Sequence, residues 1–254
     1  GFVLVLAVAA ACWSLGTALW ALGAAVHEVV VWWLGFLVLT IAGERLELSR
    51  FMPPSVAALR WFAFIAAGLL LSLAGSLPLW WHTAPAGPWA VHGFGVALLA
   101  LAGWLARFDI ARRTVHQPGL TRYIALCLLS GYVWLAVGGA VMAGAGLEPG
   151  RPSYDAALHA LLLGFVFSMV FGHAPIVFPA VLRVVLPYHP VFYAPIILLH
   201  ASLALRLLGD VSGSFALKQW GALGSALALA AFIGVMVNAV FRSRRTGPTR
   251  SPRI

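Results

Sequence analysis

Charged residues are scarce in this sequence. Asp, Glu, Lys and Arg together make up 9% of its 254 residues, whereas they make up roughly 25% of an average soluble domain. Apolar residues account for 62%, and runs of roughly 20 of them, the length that crosses a bilayer as a helix, recur from one end to the other. The chain is therefore predicted to be an all-α, polytopic integral membrane protein with no separate soluble domain.

Sulfur ligands are scarce as well. The two cysteines, Cys12 and Cys127, lie in apolar runs and form no C-x-x-C pair, which argues against a disulfide framework, a thiolate metal site and covalent haem attachment. The four methionines are scattered along the chain. Because Cu(I) prefers soft sulfur ligands, this pattern disfavours a methionine-lined copper pathway and favours haem, which would be of the b type.

Turn-forming segments rich in Pro, Gly and Ser divide the chain into about eight predicted transmembrane helices. Only the first boundary, around residues 23–25, has no such marker, so the first two helices could form one long kinked segment. A single bundle is expected over residues 1–241, followed by a basic tail at 242–254. The predicted spans are 1–23, 26–43, 56–77, 88–107, 121–144, 154–178, 190–208 and 215–241.

The basic residues indicate the orientation of the bundle. Thirteen lie at one set of span ends or in the tail and three at the other, and an excess of Lys and Arg marks the cytoplasmic side. Both termini are therefore predicted to be cytoplasmic, in a bacterial inner membrane. This placement accounts for the formal charge of +9 without a nucleic-acid partner. The first group is Arg45, Arg50, Arg60, Arg107, Arg112, Arg113, Arg122, Arg183, Arg242, Arg244, Arg245, Arg250 and Arg253, and the second is Arg151, Arg206 and Lys218.

Carboxylates are almost absent from the predicted spans. Asp109, Asp155 and Asp210, like the glutamates at 44, 47 and 148, fall at or beyond span ends, so histidine is the main polar residue inside. Ionisable groups within a membrane are costly and mark function by default. A proton-coupled transporter that uses a mid-span carboxylate is therefore disfavoured, and the histidines become the candidate site.

Four histidines, His27, His92, His159 and His200, come from four different helices and lie in the predicted outer half. Helical bundles build metal and cofactor sites from such inward-facing side chains, and neutral imidazole binds haem iron, copper and zinc. All four are predicted metal or cofactor ligands, with His159 and His200 as the preferred axial pair. His27 and His92 would form a second site or serve as alternative ligands. The alternative for each is a hydrogen-bonded residue near a helix end.

A fifth histidine, His173, lies fourteen residues after His159 in the same predicted helix. In an α-helix this spacing places the two within about 40° of each other and roughly 21 Å apart along the axis. They would face the same neighbours without sharing one metal ion. Pro175 and Pro179 are expected to kink or break the helix, so His173 either binds a second cofactor or stabilises that break.

The segment "HALLLGFVFSMVFGHAPIVFPAVL", together with histidines on several helices, resembles NnrS-type membrane proteins and, more distantly, haem-copper oxidase and cytochrome b bundles. The resemblance implies haem b, with or without copper, and a role in electron transfer or in handling nitric oxide. A redox protein or a quinone would then be the partner, besides the lipid bilayer. Two alternatives remain: copper or other metal-ion transport or resistance, and a noncatalytic membrane subunit of a redox complex.

Overall fold

The computed structural model describes residues 2–48, 54–77, 87–184 and 187–246. In these ranges the fold is all-α, and eight helical segments are long and apolar enough to cross a membrane. The predicted eight-span architecture is confirmed. The helices are α1 (Phe2–Ala21), α2 (Val26–Leu48), α3 (Val56–Gly75), α4 (Gly87–Phe108), α5 (Ala111–Thr114), α6 (Gly119–Ala145), α7 (Pro152–His159), α8 (Phe167–Leu182), α9 (Tyr193–Ser212) and α10 (Phe215–Thr246).

Two of the eight spans contain helical turns that are tighter or wider than those of an α-helix. The sixth span consists of α7, a π-helical stretch at Ala160–Val166, and α8, while a 3₁₀ turn at Pro190–Phe192 leads into α9. The helix α5 is a single short turn between the fourth and fifth spans. We call the end of the bundle at Ala21, Gly75, Ala145 and Ser212 the arginine-poor end, and the opposite end the arginine-rich end.

The second span is longer than predicted. It continues from residue 43, the expected end, to Leu48, because the sequence Glu44–Leu48 consists of good helix formers and no proline occurs before Pro53. This extension carries Arg45 into the bundle, where it is only 4% exposed. Arg45, which was predicted to lie at a span end, is therefore inside the second span and buried.

The sixth span does not break at its prolines. The helix α8 runs through Pro175 and Pro179 to Leu182 and ends at Arg183, which adopts a left-handed conformation with φ of 52°. The prolines each remove one backbone donor, and transmembrane helices tolerate that loss where neighbouring groups satisfy the freed carbonyls.

The π-helical stretch changes the relation between the two histidines of this span. A π turn contains more residues than an α turn, so Ala160–Val166 shifts the phase of everything that follows. His173 contacts Arg45 on α2, whereas His159 lies beside Asp155, whose carboxylate pairs with α9. The prediction that both histidines face the same neighbours is wrong, since it assumed a continuous α-helix.

The buried core forms two clusters. The larger one is built mainly from α2, α3, α4, α6 and the π-helical stretch, and the smaller one from α6, α8, α9 and α10. The first helix packs on α2, and the last on α9. Both leave most of their surface towards the lipid, with 17% and 28% of their apolar windows buried.

Glycines hold α4 and α6 together. A Cβ atom at Gly139 would lie 2.9 Å from the carbonyl oxygen of Gly95, closer than side-chain carbons approach. Small residues at such crossings let transmembrane backbones touch. His92 precedes Gly95 by almost one turn, so this contact brings its ring to the backbone of α6.

Candidate functional site

Two of the five histidines share a cavity at the arginine-poor end. His27 at the start of α2 and His92 in α4 line a space of about 280 Å³, together with Ser76 and the residues that follow α6. Glu28 and Glu148 also border it. We call this space the His27–His92 cavity.

The ring of His92 is held in one orientation. Its Nδ1 lies 2.8 Å from the carbonyl oxygen of Ala143, and because a carbonyl only accepts, Nδ1 carries the proton and donates. Its Nε2 is left with a lone pair beside Gly146, another lining residue, and within the described part of the chain no group bonds to it. Metal-ligating histidines are usually oriented in this way, by a hydrogen bond from the nitrogen that does not bind the metal.

The two carboxylates of the cavity have local partners. Glu28 accepts a hydrogen bond of 2.8 Å from the backbone N–H of Ala25 at the start of α2. Glu148 pairs with Arg151 at 3.2 Å, and both side chains are about two-thirds exposed. Among the described residues, no three His, Cys, Asp or Glu side chains lie close enough to hold a metal ion. An ion at His27 and His92 would therefore complete its coordination with water or substrate, as in catalytic and exchanging sites.

His159 lies in a separate cluster that joins α7 to α9. Its Nδ1 donates to the backbone carbonyl of Asp155 at 2.8 Å and is 3.2 Å from the same residue's Oδ1. The other carboxylate oxygen, Oδ2, accepts from Nη2 of Arg206 at 2.7 Å. As in His92, Nε2 has no bonded partner in the ranges described, which leaves a lone pair for a ligand.

Both ring nitrogens of His200 are engaged by protein groups. The indole N–H of Trp134 donates to Nδ1 at 2.8 Å, and Nε2 lies 2.9 Å from Oγ of Ser130. An indole nitrogen only donates, so Nδ1 is unprotonated and Nε2 donates to the hydroxyl, which in turn donates to the carbonyl of Cys127 at 3.0 Å. A metal or haem iron at His200 would have to replace one of these bonds, so this residue does not fit the predicted axial role in the present geometry.

His173 is also fully bonded, at the arginine-rich end. Its Nδ1 donates to the carbonyl of Met169 at 2.6 Å, and its Nε2 accepts from Nη2 of Arg45 at 2.8 Å. The imidazole is neutral in this arrangement, because an arginine can only donate. Of the two roles expected for His173, the geometry favours the structural one.

The polar groups around His173 were not predicted from the sequence. Asp109 follows α4, is 5% exposed, and accepts from the backbone N–H of Ala111 at 2.6 Å. The phenol of Tyr132 lies within electrostatic reach of both Asp109 and Arg45. The absence of any proline between Gly43 and Pro53 was the available signal that α2 would carry Arg45 inward. No sequence feature pointed to Tyr132.

The five predicted ligands therefore separate into four places. His27 and His92 share a cavity, while His159, His173 and His200 belong to three different hydrogen-bond networks. Only the first place combines two histidines from different helices.

A family model described as a domain of unknown function (DUF8744) matches residues 1–241. The chain belongs to the DUF8744 family. The match includes α1 to α9 and most of α10, so it contains every residue of the His27–His92 cavity. No curated protein and no solved structure matches the chain. The family description names no activity.

Proposed function

We propose that this membrane protein binds a transition-metal ion, copper or another divalent metal, in the His27–His92 cavity as part of metal transport or resistance. The observation that carries the proposal is the orientation of His92. Its Nδ1–H is bonded to the carbonyl of Ala143 and its Nε2 is left to a cavity that His27 also lines. Imidazole suits Cu, Zn, Ni and Fe.

The lining of the cavity supports the binding of an ion, because His27 and His92 come from different helices and both border it. The two imidazoles offer nitrogen ligands, and water or substrate would supply the rest. Incomplete coordination by protein suits a site at which an ion enters and leaves.

The experiment is a titration of the purified full chain with Cu(II) and Zn(II), monitored by calorimetry and, for copper, by electron paramagnetic resonance. We expect one site per chain with nitrogen hyperfine coupling. His92→Ala and His27→Ala should each weaken binding at least tenfold, since second-shell and ligand losses cost that much or more. The exposed loop histidine provides the matched control, His189→Ala, which should bind as the wild type does. Equal affinity in all four proteins would reject the proposal.

A second candidate function is haem b binding through His159, in electron transfer or nitric oxide handling. It is favoured by the Nδ1 bond to Asp155, which leaves Nε2 for an axial ligand, and by the adjacent π-helical stretch, since π turns are frequent at functional sites. Haem would supply one-electron and gas-binding chemistry. Asp155 would orient the ring of His159 and raise its basicity. In this function the membrane protein would exchange electrons with a redox protein or a quinone.

Absorption spectra of oxidised and dithionite-reduced protein test this second function. A Soret band that His159→Ala abolishes and His189→Ala preserves would support it. Protein purified without a Soret band, and unable to take up added haemin, would reject it whatever the outcome of the metal titration.

A further inference from the structure

A cationic cavity lies at the arginine-rich end, between the start of α3 and the end of α4. It has a volume of about 620 Å³, and its lining includes Arg107, Arg112, Arg113, His116 and one acidic residue, Asp109. That carboxylate already accepts a backbone hydrogen bond from Ala111. Arg107 and Arg112 alone outnumber this one carboxylate, so the lining of the cavity carries a positive charge. It is suited to an anionic group.

The first turn of α3 adds to this potential. Ser55, which also lines the cavity, caps the helix by accepting from the backbone N–H of Ala58 at 3.2 Å. The N-terminal end of a helix carries a partial positive charge and presents unpaired N–H groups to anions. The helix dipole and the arginine side chains therefore act in the same direction.

An apolar groove continues from this cavity along the outside of the bundle. It lies between α3 and α4, has a volume of about 730 Å³, and shares Arg107 and Phe108 with the cationic cavity. Exposed aromatic side chains border it, with Trp61 62% and Phe64 72% exposed. A Cβ atom at Gly103, another residue of the groove, would meet no atom within 4 Å.

We propose that the cavity and the groove together form a binding site for one anionic phospholipid. The phosphate-bearing headgroup would lie between Arg107 and Arg112, and an acyl chain would lie along the groove past Gly103. A lipid is the ligand that fits both parts, because the cationic cavity and the apolar groove share Arg107 and Phe108 and the groove is bordered by exposed aromatic side chains. Basic pockets between transmembrane helices bind such headgroups on the cytoplasmic side, where the arginine-rich end is predicted to lie. The proposal is independent of the metal site, which is at the opposite end.

The test measures the melting temperature of the full chain in neutral detergent with phosphatidylglycerol, phosphatidylcholine or inorganic phosphate added, and counts retained lipids by native mass spectrometry. Phosphatidylglycerol should raise the melting temperature and remain bound as one molecule per chain. The zwitterionic lipid and free phosphate should not. Stabilisation by free phosphate equal to that by phosphatidylglycerol would show an anion site without a lipid and overturn the proposal, as would equal effects of the two lipids.

Two pairs of variants separate the headgroup and the acyl chain. Arg112→Gln should weaken phosphatidylglycerol binding about fivefold, the value for one arginine near a membrane surface, whereas Arg122→Gln, at the same end but outside the cavity lining, should not. Gly103→Leu fills the groove and should also weaken binding. Gly234→Leu is its control, because a side chain there likewise meets no atom within 4 Å and α10 is distant in the chain. Wild-type affinity in both Arg112→Gln and Gly103→Leu would overturn the proposal.

Discussion

Arg45 donates from Nη2 to Nε2 of His173 across 2.8 Å, and this contact joins α2 to the sixth span inside the bundle. The arginine is 4% exposed, so its charge depends on protein partners in place of water. A neutral imidazole accepts from a permanent cation here, which gives His173 a structural role that its position before two prolines did not define.

Removal of this acceptor should destabilise the protein. His173→Ala leaves a buried guanidinium short of one partner, and the expected cost is about 1–3 kcal/mol in the free energy of unfolding. Thermal unfolding in detergent measures it. The double variant Arg45→Met, His173→Leu should lose less stability than the sum of the losses in Arg45→Met and His173→Leu alone. The double variant removes the buried charge along with its partner. Additive losses would show that the two side chains do not depend on each other.

The crossing of α4 and α6 should not tolerate a larger residue at Gly95. A Cβ atom there would collide with the backbone of Ala143 and Gly139. Gly95→Leu should therefore lower the free energy of unfolding by about 1–3 kcal/mol, the usual cost of overpacking, and lower the melting temperature with it. It should also weaken metal binding, because the separation of the helices breaks the bond between His92 and Ala143. Gly234→Leu is the matched control and should leave both properties unchanged. A Gly95→Leu protein that is destabilised but binds metal as the wild type does would contradict the link between the crossing and the site.

Trp134→Phe should affect stability without affecting the metal site. The change removes the donor to Nδ1 of His200 but keeps an aromatic ring against Gly164. The loss of this partly buried hydrogen bond is expected to cost about 1 kcal/mol. Copper affinity should stay at the wild-type value, since His200 belongs to a different network from His92. A large fall in copper affinity would show that His200 takes part in metal binding after all.

Asp155→Asn should loosen the contact between α7 and α9. The substitution weakens the ion pair with Arg206 and the contact with His159, and we expect a loss of about 1–2 kcal/mol. Arg206→Gln should cost a similar amount, and the double variant no more than either one alone. If the chain binds haem, Asp155→Asn should also shift the haem reduction potential, because the carboxylate would no longer raise the basicity of His159. An unchanged potential in a haem-loaded variant would argue that His159 is not the axial ligand.

The hydrophobic pattern was sufficient to predict the eight spans, because the requirement for about 20 apolar residues per crossing acts locally along the chain. The ends of the spans were predicted less accurately, and the sixth span runs through two prolines to Leu182, past the predicted end at residue 178. The end of α2 was placed five residues early, and the π-helical stretch at Ala160–Val166 was not foreseen. A π turn depends on the packing around it, and the sequence of this span shows no side-chain periodicity that predicts one.

The histidines of the candidate site were likewise predictable from the sequence only in part. Few other polar residues lie within the predicted spans, so all five histidines were candidates. Burying an ionisable group in lipid is costly whatever its neighbours in the fold, and this cost can be recognised from the sequence. Whether a ring nitrogen is left for a ligand was decided by partners distant in sequence: Ala143 for His92, Trp134 and Ser130 for His200, and Arg45 for His173. The sequence by itself determined a membrane bundle with histidine as its principal intramembrane polar residue. Only the tertiary structure, which fixes the hydrogen bonds between helices, decided that His27 and His92 share a cavity and that His173 and His200 are bonded within the protein.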